Sequence, residues 1–234
     1  MKQGHSPVLP GDGATDYARY MRLNTLLALQ RRPDEMMHRD ELLFQVVHQS
    51  TELWLKLVAA ELAEAVTRLR VGELAVTESL LTRATLGIRL VTDQLEMFRH
   101  LSPADFQAMQ PALGKGSGAE SPGWRQVHAM SRQLGRAFAE HLEVRGIEPA
   151  ALGRPDPADP VQRLAEALIE WDERVSLWRM RHYRVALRVG GHDPGGAEAT
   201  MLAKLVGHRF FPALWRARLK PSDGSANESQ ADQR

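Results

Sequence analysis

The sequence predicts an all-α protein, a helical bundle, on three observations. Apolar residues recur at steps of three and four along several long segments, the spacing that lines one face of a helix. No run alternates apolar and polar residues as a half-buried strand does. The Gly- and Pro-rich clusters fall between the periodic segments and punctuate them. With 234 residues, 43% of them hydrophobic, the chain can bury a sizeable core.

Taken in order, residues 1–14 are rich in Gly and Pro and read as a loose arm. From Asp16 the pattern turns helical, with Tyr20, Leu23, Leu26 and Leu27 on one face. "RRPDEMMHRDE" is a connector ending in a helix start, because Asp40 and Glu41 suit the positive end of a helix dipole. Helix then runs to about Arg70 through Leu43, Val47, Trp54, Val58, Leu62 and Val66, and "VGELAV" breaks it. The next helix is expected from about Glu78 to His100 through Leu81, Ile88, Val91, Leu95 and Phe98. In "LSPADF", Ser102 is an N-cap and Pro103 occupies the first helical position. The loop "LGKGSGAESPGW" leads into a helix from about Trp124 to Leu142, and "RGIEPAALGRPDPADP" is a second loop. A long helix covers about Val161 to Val189 and stops at "GGHDPGG". One shorter helix, about Ala199 to Leu219, precedes a tail whose composition predicts disorder. The expected organisation is an arm at 1–14, one helical domain at 15–219 and a tail at 220–234.

Composition excludes several functions. Lys plus Arg is 30 and Asp plus Glu is 29, without a basic stripe, so no nucleic-acid partner is predicted. The chain has no Cys, which removes disulfides, zinc thiolate sites, thiolate-ligated haem and Cys nucleophiles. No segment approaches the ~20 uninterrupted apolar residues of a membrane span, and the N-terminus lacks an apolar signal region. A cytoplasmic protein without a membrane partner is expected. There is no H-E-x-x-H, no P-loop and no G-x-S-x-G.

Two histidines stand in apolar stripes. Leu168, Trp171, Val175, Trp178, His182, Val185 and Val189 step by three and four, so His182 occupies a core position. Phe44 and His48 are four apart and share a face within "HRDELLFQVVHQSTELWLKL". Each histidine alone reads as a hydrogen-bonded core residue or as a ligand. A dinuclear carboxylate site wants two Glu-x-x-His motifs on facing helices, a pair this chain lacks. Haem held between helices by one axial His is a common use of such an arrangement, and periodicity alone favours the core reading over it.

Ordered segments then carry a resemblance. "DYARYMRLNTLLALQ" and "HRDELLFQVVHQSTELWLKL" resemble the opening of the tryptophan 2,3-dioxygenases: Tyr-x-x-Tyr, Leu-Leu-x-x-Gln, then His…Asp-Glu-x-Leu-Phe…His-Gln…Glu-Leu-Trp. "LSPADFQAM" and "SGAESPGWRQV" are similar to the family's Thr/Ser-Pro-x-Asp-Phe and Ser-Gly-Phe-Gln-Ser…Phe-Arg segments. "LWRMRHYRVALRVGG" and "FFPALWRARL" are similar to its proximal-helix and C-terminal segments.

The resemblance implies an all-α enzyme with haem b, a homotetramer or dimer, that uses ferrous iron and O2 to oxygenate a small indole-type aromatic. His182 would be the proximal iron ligand. His48 would be the distal catalytic residue facing the indole N–H. Phe44, Phe106 and Gly118 would face the substrate, with Ser117 at the haem edge. Tyr17, Tyr20 and Met21 would complete a neighbouring subunit's pocket.

Two departures bear on the substrate. Where the family places an Arg that pairs with the substrate carboxylate, this chain has Gln110, which cannot form a charge-assisted fork. The family's Gly-Thr-Gly-Gly loop reads here as "HDPGGAEAT", and Ala119 stands at the aromatic position after Ser-Gly. The expected substrate is therefore an indole whose amino-acid head is modified or absent, by mono- or dioxygenation. The alternatives are a true L-tryptophan 2,3-dioxygenase, with Arg125 or Arg99 in place of the missing Arg, and a non-catalytic haem-binding or gas-sensing protein.

Overall fold

Amphipathic spacing becomes helix wherever a cap and an apolar face coincide. The computed structural model describes residues 8–114, 116, 118–153, 156–190 and 197–219. Among these, the α-helices are α1 (Asp16–Met21), α2 (Leu23–Leu27), α3 (Glu41–Arg70), α4 (Leu74–Gln94), α5 (Pro103–Leu113), α6 (Pro122–Val144), α7 (Pro160–Val189), α8 (Ala197–Val206) and α9 (Pro212–Leu219), and no strand occurs. The all-α expectation is met.

The starts are built as the sequence indicates. Ser102 and Asp105 form a reciprocal capping box before Pro103. Asp159 caps α7 by accepting the Val161 N–H at 2.8 Å, with Pro160 at the first helical position.

Four boundaries differ from expectation. Gly72 adopts φ 81°, a left-handed turn open to glycine, so the connection after α3 is short and α4 begins at Leu74, not Glu78. The chain tightens into a 3-10 helix over Leu95–His100, so α4 itself ends at Gln94. Arg22 is left-handed (φ 53°) and splits the first helix in two. The single C-terminal helix is interrupted because the Asp172 carboxylate draws the Phe210 and Phe211 N–H groups out of helical register, after which Pro212 restarts the helix.

The main core lies where α3 meets α4 and α6, and α4 meets α7. It holds Leu55, Leu62 and Leu69 of α3, Leu81 and Ile88 of α4, Leu134 and Phe138 of α6, and Leu164, Leu168 and Trp171 of α7. Burying each such side chain stabilises the fold by about 2 kcal/mol, so this end decides stability. A second, smaller cluster sits at the other end, around Val47, Leu95, Phe98, Leu101, Met109 and Val189, with Leu43, Phe44, Phe106 and Val185 half-buried against it. Trp178 touches both clusters. No helix of the described residues is long and apolar enough to cross a membrane.

Candidate functional site

The polar interruption in α3 is satisfied residue by residue. The Gln49 Oε1 accepts from Gln30 Nε2 at 2.6 Å, which ties the segment after α2 to α3. The Ser50 hydroxyl lies 2.6 Å from the Val46 carbonyl and also meets Gln94 Oε1, on the neighbouring helix. His48 Nδ1 lies 2.8 Å from the Phe44 carbonyl oxygen. A carbonyl can only accept, so Nδ1 carries the proton and Nε2 presents a lone pair.

His48 is solvent-accessible, not buried as the stripe suggested. Its ring packs 4.1 Å from that of Phe44 and 5.7 Å from that of Phe98, with Phe106 6.1 Å from Phe44. The surrounding protein mass lowers the His48 pKa, against smaller opposing effects of the Phe44 carbonyl and the Glu52 charge. The imidazole is thus held neutral beside a wall of three phenylalanines.

Helix α5 supplies Phe106 to that wall and buries Met109 completely. His38 Nε2 approaches Asp105 Oδ1 at 3.5 Å and links the start of α5 to the chain before α3. Gln110, one turn beyond Phe106, is exposed.

On α7, His182 is half-buried and stacks on Trp178, with ring centroids 5.0 Å apart and planes 6° apart. Trp178 in turn meets Trp124 of α6 at 3.9 Å. Arg181 pairs with Glu96 and ties α7 to the 3-10 segment, which packs against both α3 and α7. Beneath this helix, the almost fully buried Arg179 donates to the His208 carbonyl at 3.0 Å and lies over the Phe210 ring. Burial first, and then the Arg179 charge, push the His128 pKa down to about 4.

The turn preceding α6 is fixed from α3. Glu52 accepts the Ser121 hydroxyl and the Gly123 N–H, the latter at 2.9 Å. A Cβ at Gly123 would lie 2.6 Å from the Glu52 carboxylate, so only glycine lets α6 approach α3 here. Gly118, in the Gly118–Glu120 turn, is exposed and faces open space. Ser117 and the 191–196 stretch, which carries most of the altered Gly-rich loop, lie outside the described residues.

The structure thus brings Phe44, His48 and Phe106 together and sets His182 on the helix whose Val185 and Val189 join the same cluster. It does not bring Tyr17, Tyr20 or Met21 there: they are 64%, 66% and 47% exposed on α1, and neither α1 nor α2 buries a residue. The reading from sequence did not single out Phe98 as a ring partner of His48, nor Glu52. The Glu-Leu-Trp step after His48 was the available signal for Glu52, since it sits one turn on, on the same face.

No group of three or more metal-ligating side chains exists among the described residues. Side chains alone therefore build no polydentate metal centre there. An iron porphyrin fits this donor set, because its ring nitrogens supply the equatorial ligands and protein need supply only an imidazole. A groove of about 420 Å³ lies elsewhere, between α4 and α7, and two salt bridges, Arg163–Glu78 and Arg218–Glu166, occupy its walls.

Comparison with known proteins gives the family. Residues 2–140 match the family described as tryptophan 2,3-dioxygenase. The chain is similar to the tryptophan 2,3-dioxygenase of Xanthomonas campestris pv. campestris (strain B100), 27% identical over 279 residues, with 92% of this chain and 93% of the relative covered. It is similar also to that of Myxococcus xanthus (strain DK1622), 26% identical over 263 residues, with 88% and 89% covered. Both aligned lengths exceed the 234 residues of the chain, so these relatives carry segments that have no counterpart here.

Proposed function

The chain belongs to the tryptophan 2,3-dioxygenase family, and on that premise we propose that it is a haem-dependent oxygenase of an indole whose amino-acid head is modified or absent. When bound, haem b would supply ferrous iron that binds and activates O2. His182 would hold the iron. His48 would accept the indole N–H through Nε2, because Nδ1 is committed to the Phe44 carbonyl. Phe44 and Phe106 would stack against the ring and exclude water, with Ser117 and Gly118 closing the edge.

The observation that carries the reading is the locked, neutral tautomer of His48 beside three aromatic rings. A protonated imidazole would repel the indole N–H; a neutral one orients it. Gln110 supports the choice of substrate. It occupies the Phe106 face of α5, and its neutral amide cannot give a carboxylate the charge-assisted fork of an Arg.

The second reading, a true L-tryptophan dioxygenase, is favoured by one observation. Arg125 Nη2 donates to the Glu120 carbonyl at 2.9 Å, which keeps a guanidinium beside the 118–120 turn. The unburied α1 and α2, with their exposed Tyr17, Tyr20 and Met21, support an oligomer in which this segment packs on a neighbouring copy.

Turnover of L-tryptophan, tryptamine and methylated indoles, under O2 and with reductant, tests the proposal. Faster turnover of the headless or modified indoles is expected. Clear preference for the free amino acid establishes the second reading, and haem uptake with no indole turnover points to a sensor.

A further inference from the structure

The rings of Trp124, Trp178 and His182 form a continuous run of contacts, and we propose that the two tryptophans carry oxidising equivalents from the group held at His182 to the surface, giving a peroxidase activity toward phenols. The inference rests on the haem-binding reading above. The centroids of His182 and Trp178 are 5.0 Å apart with the rings 6° from parallel, and those of Trp178 and Trp124 are 3.9 Å apart at 37°. Indole is among the side chains most readily oxidised by one electron, and rings in contact exchange electrons rapidly.

Two further features distinguish this run of contacts from ordinary packing. The Trp178 Nε1–H is buried and meets no acceptor among the described residues. Such an orphaned donor costs free energy and calls for a reason. No described residue can take the proton of an oxidised Trp178, which as a cation draws an electron from Trp124. Trp124 is half-buried at the first turn of α6, where Ser121 Oγ accepts its backbone N–H at 3.1 Å. It can release a proton to water and meet an external reductant. Position 124 holds Phe in the family pattern, and a phenyl ring is too hard to oxidise to relay. The second indole is this chain's own.

The overall reaction balances without leaving either tryptophan changed. One hydroperoxide and two phenols give an alcohol (water, for hydrogen peroxide), one water and two phenoxyl radicals. The O–O bond breaks and two phenol O–H bonds break. Both electrons and both protons come from the phenols.

The test mixes the full-length, haem-loaded protein with hydrogen peroxide and follows it by freeze-quench electron paramagnetic resonance and by peptide mapping. An indole radical signal and oxidative modification at Trp124 are expected, and guaiacol should erase both. Trp178→Phe should keep its Soret band and lose both. Trp124→Phe, which restores the residue of the family pattern, should keep the Soret band and lose guaiacol oxidation. A tyrosyl radical, an unmodified Trp124, or signals that persist in both variants overturn the relay while leaving the oxygenase reading intact. A protein that takes up no haem overturns both.

Discussion

Glu52 and Gly123 stand 71 residues apart, yet the carboxylate of one accepts the backbone N–H of the other at 2.9 Å. With the Ser121 hydroxyl on its second oxygen, Glu52 acts as an N-cap for α6 delivered from α3. It also places a negative charge at the positive end of that helix. Glu52→Ala should cost about 1–2 kcal/mol, read as a lower urea midpoint at unchanged m-value. Haem affinity should fall with it, because the Gly118–Glu120 turn leads directly into this cap. An unchanged midpoint would mean that the cap is dispensable.

Asp172 is fully buried and accepts from Phe210 N, Phe211 N and Trp215 Nε1. Asp172→Asn keeps the shape but can turn an N–H toward these donors. A loss of about 3 kcal/mol is expected, together with faster hydrogen exchange across residues 208–219. Full protection in the variant would contradict the role assigned to this carboxylate.

The pH dependence of stability follows from His128. Its pKa falls from an ordinary 6.5 to about 4, through burial first, then the charges of Arg179, His208 and Arg132. The unfolded chain therefore takes up this proton in a range where the folded protein does not. Stability should be complete above pH 6.5 and decline as pH falls toward 4, by an amount on the order of 1–2 kcal/mol at this half-buried ring. His48, His141 and His208 are lowered as well and add the same sign. Melting temperatures measured across this range should show a shallower slope in His128→Gln.

What was legible in the sequence was local. The α3 and α7 stripes, the Ser102–Pro103 start and the Phe44–His48 and Trp178–His182 neighbours all follow from spacings of four residues or fewer. Relations across tens of residues were not legible. Asp172 reshapes residues 210–212 from 38 positions away, and no periodicity announces that break. Glu52 capping α6 and Trp124 meeting Trp178 depend on how helices cross. The exposure of His48 was hidden for another reason: helical spacing reports which face a residue shares, not whether that face meets protein or open space.

Gln110→Arg should restore a partner for a substrate carboxylate. The preference for L-tryptophan over tryptamine, taken as a ratio of kcat/KM, should rise by roughly one to two powers of ten. No change in that ratio would show that position 110 does not face the substrate head.

On the haem-dependent reading, His182 holds the iron. The direct measurement is the absorption spectrum of the purified, reduced protein beside that of His182→Ala, with and without added imidazole. The wild-type protein should show a Soret band that shifts on adding an indole. The variant should be nearly colourless and regain the band with imidazole. A variant with an unchanged Soret band, or a wild-type protein that takes up no haem, would contradict the account.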